Sequence, residues 1–188
     1  MAEAKTGGGG SGAGTTAADK PKPRRITKRK GVEEHARSYF DALARRDTDD
    51  MVAHFSPEGV EDIVPVGVLR GRDEIKAFFD DLFAALPDAE IKVERLVAGE
   101  RHAAVEWRMN GRFTGGSFMD IEATGRWIEV RGFDLLEIED KQILSNTAYY
   151  DGASFARQVG MLPPEGSGAE RAIKGTFNAV TKLRRRIG

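Results

Sequence analysis

The chain has 188 residues, among them 29 Lys and Arg, 30 Asp and Glu, three His and no Cys. This length fits one ordinary domain with tails. The absence of Cys excludes disulfides, a thiol nucleophile and Cys-ligated metal centres, and three scattered His do not favour a His-based metal site. No apolar run approaches the roughly 20 residues that span a bilayer, and the Gly-rich beginning lacks an apolar signal core. We therefore expect a soluble, cytoplasmic protein that needs no metal ion or organic cofactor.

The net charge of −1 conceals an uneven distribution. Residues 1–31 carry eight basic and two acidic groups, and residues 165–188 carry six basic and two acidic groups, so the stretch 32–164 has a net charge of −11. An acidic body with basic ends is not typical of a domain that binds a specific nucleic acid. Any attraction to polyanions would come from the ends.

Residues 1–31 are predicted to be a disordered, basic, Gly-rich tail, because they contain too little apolar surface to offset the cost of ordering the backbone. The folded body is predicted over 32–162. Its apolar spacing indicates a helix over 32–46, a short second helix capped by Asp47 or Thr48, and a third helix that ends at Pro87.

After Pro87 the apolar period changes from about 3.6 to about 2 residues, which indicates strands. A short strand is also expected at 60–64 and a last short helix at 154–159; the strands after Pro87 are predicted at 91–96, 103–111, 127–138 and 143–150. Helices followed by an antiparallel meander indicate the α+β class. A sheet that bends round the helices leaves a cone open at one end, which is a natural pocket for a small apolar ligand.

Residues 163–188 are predicted to form a basic amphipathic helix, with Ile173, Phe177 and Val180 near one face. Such a helix can lie on an anionic membrane or enter a groove of a partner. It can equally dock on the acidic body of its own chain or a second copy. The two segments open to membrane or partner contact are therefore 20–30 and 173–187.

Two Asp residues fall in apolar rows of predicted strands. Asp134 shares a face with Ile128, Val130 and Leu136, so burial should raise its pKa and let the neutral acid donate a hydrogen bond to an oxyanion. Asp62 shares a face with Val60 and Val64 and could act as a general base in a dry pocket. A one-residue slip of this strand would turn Glu61 inward instead.

Further polar candidates lie on the first helix and on two other strands. Tyr39 belongs to the apolar stripe of the first helix, and its hydroxyl needs a polar partner inside the core. Arg108 and Asn110 share a face of one strand, and Asn146 and Tyr150 share a face of another. Either set can line the cone and bind substrate. If Arg108 faced Asp134, its charge would favour the carboxylate over the neutral acid.

Three segments resemble the nuclear transport factor 2-like superfamily. Ser38-Tyr39-Phe40-Asp41-Ala42-Leu43, Val60-Glu61-Asp62 followed by Pro65-Val66-Gly67, and Phe133-Asp134-Leu135-Leu136 are similar to the segments of ketosteroid isomerases that carry the oxyanion-hole Tyr, the base and the protonated Asp. The resemblance implies a cystatin-like α+β barrel: a cone-shaped, mixed, mainly antiparallel sheet wrapped round three N-terminal helices. It also implies that Asp62 is the base and that Tyr39 and Asp134 bind the enolate.

Other segments resemble the SnoaL-like polyketide-cyclase branch of the same superfamily. These are the long excursion 113–126 and the ending Tyr149-Tyr150-Asp151, and in that branch one Asp, matching Asp134, is the acid–base catalyst. Either branch implies a small hydrophobic carbonyl ligand, steroid or polyketide-like. We also expect a homodimer that meets through the open face of the sheet. A non-catalytic ligand-binding or assembly protein of the same fold, positioned by its basic tails, remains the alternative.

Overall fold

The computed structural model describes the backbone of residues 24–187 and the side chains of residues 28–186. Its helices are α1 (Arg24–Arg45), α2 (Thr48–Ala53), α3 (Gly71–Ala85), α4 (Gly152–Val159) and α5 (Gly168–Ile187). Its strands are β1 (Phe55–Val64), β2 (Gly67–Arg70), β3 (Glu90–Ala98), β4 (His102–Arg112), β5 (Trp127–Glu139) and β6 (Gln142–Tyr150). The predicted α+β architecture is confirmed, with the short strand β2 added.

The first helix begins earlier than the sequence predicted. Residues 24–31, assigned to a disordered tail, form the opening turns of α1, while residues 1–23 of that tail lie outside the described part of the chain. Lys and Arg are good helix formers, and Lys30 pairs with Glu34 one turn later at 3.6 Å. The helix therefore extends into the basic segment although that segment has little apolar surface.

Six strands form one curved sheet in the order β2-β1-β6-β5-β4-β3. All neighbouring strands are antiparallel except β1 and β6, which are parallel. Irregular registers interrupt β1, β3 and the β5–β6 pair, and such bulges increase the local twist and bend of a sheet. The concave face receives α1 and α3, so the core lies between these helices and the sheet.

Strict alternation along β5 assigns the two faces of the sheet. Ile128, Val130, Leu136 and Ile138 are buried, together with Asp134. The residues of the alternate row, which begins with Trp127, face outward. This is the arrangement that the apolar period predicted. The caps of the short helices also follow the sequence, since the side chain of Asp47 accepts a hydrogen bond from the Asp50 amide at 3.0 Å.

The excursion 113–126 folds back over the open end of the cone. Its ends meet where the Phe113 amide bonds to the carbonyl of Arg126, and the Gly115 amide bonds to the carbonyl of Ala85 at 3.0 Å. Phe118 is thereby held against Phe78 of α3. The backbone at Gly115 lies so close to α3 that an added Cβ would overlap the carbonyl oxygen of Ala84.

Helix α5 follows the body as a separate arm. It is attached at its first turn, where Glu170 accepts hydrogen bonds from the Gly166 amide at 2.8 Å and from Arg157 of α4 at 3.4 Å. Beyond this turn nearly all its side chains are exposed. Within the described part of the chain, no helix is both long enough and apolar enough to cross a membrane.

The close approach at Gly115 leads to a stability prediction. We expect Gly115→Ala to lower the free energy of unfolding by about 1–3 kcal/mol, because the new methyl group must displace the backbone of α3 or of the excursion. Urea unfolding measures this difference. Gly116→Ala is the matched control, since a Cβ there meets nothing within 4 Å. Equal stability of the two variants would contradict the packing described here.

Candidate functional site

A hollow lies between the helices and the concave face of the sheet. The cavity volume that the centre of a water molecule can reach is about 90 Å³. This volume is several times the roughly 10–15 Å³ that one water needs. Side chains from α1, α3, α4, five strands and the excursion 113–126 line it, and most of them are apolar. The lining residues that carry a hydroxyl or carboxyl group are Tyr39, Glu61, Asp134 and Tyr150.

Asp134 lies in the middle of β5, and its side chain is only 4% exposed. Its strand neighbours on the same face are Val105 of β4 and Ala148 of β6, so the sheet itself offers the carboxyl group no charge partner. Two side chains donate to it instead. Trp107 Nε1 lies 2.7 Å from Oδ1, and Asn146 Nδ2 lies 2.8 Å from Oδ2.

Glu61 of β1 is the second buried acid, with 1% of its surface exposed. The parallel register of β1 and β6 sets Glu61 directly beside Asn146. Asn146 Nδ2 lies 3.1 Å from each of the two Glu61 carboxyl oxygens. One amide group therefore divides its two hydrogens between Glu61 and Asp134. The Asn146 oxygen is buried and has no hydrogen-bond partner among the described residues.

Burial shifts both acids in the same direction. It raises the pKa of Asp134 to about 6, against the hydrogen bonds from Trp107 and Asn146 that favour the carboxylate. Burial also raises the pKa of Glu61 well above its usual range, and the neighbouring charge of Asp134 adds to this rise, whereas the Asn146 amide opposes it. Ionisation of both acids in this water-poor hollow would be energetically unfavourable, so the protonation of one depends on that of the other.

Tyr39 of α1 also lines the hollow. Its ring is held edge-on against Phe40 and Phe55. Burial raises the pKa of its hydroxyl well above the usual range, and the charges of Glu61 and Asp134 raise it further. Tyr39 is therefore a neutral hydroxyl that can donate a hydrogen bond. Burial likewise raises the pKa of Tyr150, which lines the same hollow from the end of β6.

The predicted orientation of the 60–64 strand is reversed in the structure. Glu61 and Ile63 face the hollow, while Asp62 is half-buried on the other side of β1. The reason is that Val60, Asp62 and Val64 lie on an outer face that is itself partly covered, so two Val residues did not distinguish inside from outside. The alternative slip that turned Glu61 inward is the one observed.

Arg108 and Asn110, predicted to bind substrate, lie on the convex face of β4. Arg108 pairs there with Glu129 and Glu94, away from Asp134. The alternating residues Trp107 and Met109 line the hollow instead. The apolar row of β4 is thus the inner one. The polar row, expected to bind substrate, forms ion pairs with neighbouring strands on the outer face instead. Asn146 faces the predicted side, but it sits behind the two acids and does not line the hollow.

Trp107 and Gly132 are the functional residues that sequence reasoning missed. They are direct neighbours across β4 and β5, and a Cβ at position 132 would overlap the indole ring. Gly132 thus leaves the space in which the indole lies flat along β5 and reaches Asp134. The available signal was the indole N–H of a Trp on a core-facing strand position, because such a group needs a buried acceptor.

Within residues 28–186, no group of three or more His, Asp and Glu side chains is arranged to hold a metal ion. The polar groups at the hollow that can donate or accept a proton or a hydrogen bond include the acid pair, the indole of Trp107 and the phenol of Tyr39.

Solved structures share the fold of this chain. No curated protein matches the sequence. Among solved structures, AclR from Streptomyces galilaeus has a TM-score of 0.64 at 17% identity, over 84% of this chain and 97% of that chain. TsrD from Streptomyces laurentii has a TM-score of 0.62 at 23% identity, over 71% and 98%. A protein of ketosteroid isomerase-like fold from Catenulispora acidiphila, in complex with trimethylamine, has a TM-score of 0.58 at 18% identity, over 71% and 99%.

These structural similarities establish the fold, a curved, unclosed sheet that forms a cone with the helices packed on its concave face. The family model described as SnoaL-like polyketide cyclase matches residues 33–159, which is most of the chain. The chain belongs to the SnoaL-like polyketide cyclase family.

Proposed function

We propose that the protein is a small-molecule enzyme of the cyclase or isomerase type, which removes a proton next to a carbonyl group and stabilises the enolate formed. The observation that carries this proposal is the pair of buried acids that share one amide at the wall of an apolar hollow. Two acids held together without a cation are costly to bury, and such pairs with shifted pKa values are typical of acid–base sites.

The hydrogen bonds divide the roles between the two acids. Asp134 accepts two short hydrogen bonds, one on each oxygen, and these stabilise its carboxylate. Glu61 accepts only the longer contacts from Asn146. With a pKa of about 6, Asp134 is mostly ionised at neutral pH, while the raised pKa of Glu61 keeps its proton. We therefore assign Asp134 as the general base and neutral Glu61 as a hydrogen-bond donor.

Tyr39 supplies the second donor. Its hydroxyl stays protonated, because burial and the neighbouring acids raise its pKa. Two neutral donors in a water-poor pocket can bind the oxygen of an enolate as charge develops on it, and each such donor typically lowers a barrier by about 3 kcal/mol. The sequence resemblance implied that the two donors to the enolate oxygen are Tyr39 and Asp134. In the present proposal Glu61 takes the place of Asp134 as a donor.

The chemical step is a proton transfer that balances without any other reactant. Asp134 takes the proton from the carbon beside the carbonyl, and the C–H electron pair becomes the C=C bond of the enolate, whose oxygen takes the charge. The enolate then regains the proton from Asp134 at another carbon, which moves a double bond. Alternatively it attacks a second carbonyl carbon, which closes a ring, and the alkoxide formed takes the proton from Asp134. The apolar lining favours a hydrophobic carbonyl compound, polyketide-like or steroid-like, as the substrate. We propose that the enzyme acts in the cytoplasm.

We also propose a homodimer through the convex face of the sheet. Phe133, Leu135 and Tyr149 lie on this face and are 45%, 45% and 53% exposed. They form part of one outer surface because Phe133 and Tyr149 are direct neighbours across β5 and β6. We expect wild type to have the mass of a dimer in light scattering, and Phe133→Glu to have the mass of a monomer. A wild-type monomer would contradict this assembly.

The base assignment is tested by exchange of the proton next to a carbonyl. We expect the wild-type protein to catalyse deuterium incorporation into a β,γ-unsaturated ketone or a β-keto ester in D₂O, followed by NMR. Asp134→Asn removes the base and should lower the rate about 10²–10⁴-fold. Glu61→Gln keeps a neutral donor and should lower it far less.

Asp62→Asn distinguishes this assignment from the one that the sequence suggested. The side chain lies outside the hollow, so we expect little change in the exchange rate. A large loss in this variant and none in Asp134→Asn would make Asp62 the base. Binding of these ketones by thermal shift without any exchange would favour the non-catalytic, ligand-binding alternative.

The pH profile provides a second test. We expect kcat/KM to rise as the pH passes through about 6, where Asp134 loses its proton. Trp107→Phe removes a donor that favours the carboxylate, so the pKa of Asp134 should rise and the acidic limb should move to higher pH. Gly132→Ala should move it in the same direction, because the added methyl group displaces the indole.

Gly116→Ala is the control for Gly132→Ala and should leave the acidic limb of the pH profile unchanged. An unchanged limb in Trp107→Phe, with activity retained, would mean that Asp134 is not the group whose ionisation limits the rate.

A further inference from the structure

The apolar side of α5 is bare in the folded chain. Ile173, Phe177, Val180 and Leu183 are 58%, 69%, 43% and 58% exposed. At one residue per 100° they cover an arc of about 120° on one side of the helix. We call these four residues the α5 strip. Large apolar side chains gathered along one exposed helix face mark a surface that meets something other than water.

The opposite side of α5 is strongly basic. Arg171, Lys174, Lys182, Arg185 and Arg186 point away from the strip by the same helical geometry. Arg184 falls within the arc of the strip, near the end of the helix, where its long side chain can bury its methylene groups and keep the guanidinium in a polar layer. The helix therefore combines a narrow apolar face with a wide cationic face.

No free acid on α5 balances this charge. Glu170 is the one acidic residue of the helix, and it is bound to Arg157, to Lys174 and to the Gly166 amide. The body is acidic, with a net charge of −11 over residues 32–164. An anionic surface would thus attract the arm while it repels the body.

We propose that α5 lies flat on the surface of an anionic lipid bilayer, with the α5 strip in the boundary between headgroups and acyl chains. A cationic polar face opposite a narrow apolar face is the pattern of helices that bind at this boundary. Attraction of the cationic face to anionic headgroups then adds to the burial of the apolar face in holding the helix at the surface.

Pairing of α5 with α5 of a second copy is disfavoured by the same charges. Two such helices would bring their basic side chains together, and neither helix has a free carboxylate to pair with them. The one remaining self-association is docking of the α5 strip on the convex sheet face of another copy. This outcome is distinguishable by experiment, because it changes the mass of the protein rather than its affinity for lipid.

The test is flotation of the full chain with vesicles. We expect binding to vesicles that contain phosphatidylglycerol, little binding to pure phosphatidylcholine vesicles, and loss of binding at high salt, because the screening length falls from about 10 Å at 0.1 M to about 3 Å at 1 M. Equal binding to both kinds of vesicle, or binding to neither, would overturn the proposal.

Substitutions in α5 separate the two faces. Phe177→Gln should weaken binding about tenfold or more, because it removes one large apolar side chain from the boundary layer. Its matched control is Asn178→Gln, the next residue, which should change little. Lys182→Gln with Arg185→Gln should weaken binding to anionic vesicles about fivefold per charge.

All these positions are exposed, so circular dichroism and the exchange rate with ketones should stay at wild-type values. If Phe177→Gln instead changes the mass of the protein in solution and leaves vesicle binding intact, the strip covers a second copy and the membrane assignment is wrong.

Discussion

The side-chain amide of Asn146 connects the two buried acids of this molecule. Asn146 donates to Glu61 on one side and to Asp134 on the other, and without it two acids would lie close together at the wall of an apolar hollow with no common donor. A buried polar group without a partner costs more than its hydrogen bond contributes, so this bridge decides whether the site can exist in a dry core. The registers of β1 with β6 and of β6 with β5 bring the three residues together.

The sheet also provides what the acids need beyond that bridge. Gly132 leaves a gap in the concave face, the indole of Trp107 fills it, and the indole N–H reaches Asp134. The excursion 113–126 covers the open end and contributes Phe118 to the lining. Water is thus kept away from a carboxylate that retains two donors, which is the balance between burial and hydrogen bonding that places a pKa near neutrality.

The sequence predicted the elements that have strong apolar periodicity. The alternation along β5 placed Asp134 inside, and the stripe of α1 placed Tyr39 in the core. It failed where both faces of a strand are partly covered. Asp62 and Glu61 are exchanged because Val60 and Val64 lie on a half-buried outer face. Arg108 was misplaced because its polar row was expected to line the hollow, whereas it forms salt bridges on the outer face of β4. The contact between Trp107 and Asp134 depends on the β4–β5 register, which periodicity alone does not fix.

The parallel pairing of β1 with β6 joins strands that are distant in the chain. Glu61 and Asn146 are 85 positions apart, and contacts of such separation form late, since a long loop must close before they contribute. During synthesis on the ribosome, β1 emerges long before β6. Until the last strand is added to the edge of β1, Glu61 has no amide to share, and a charged, hydrated carboxylate is its natural state. The nascent chain therefore cannot form its dry acid pair before β6 has been synthesised.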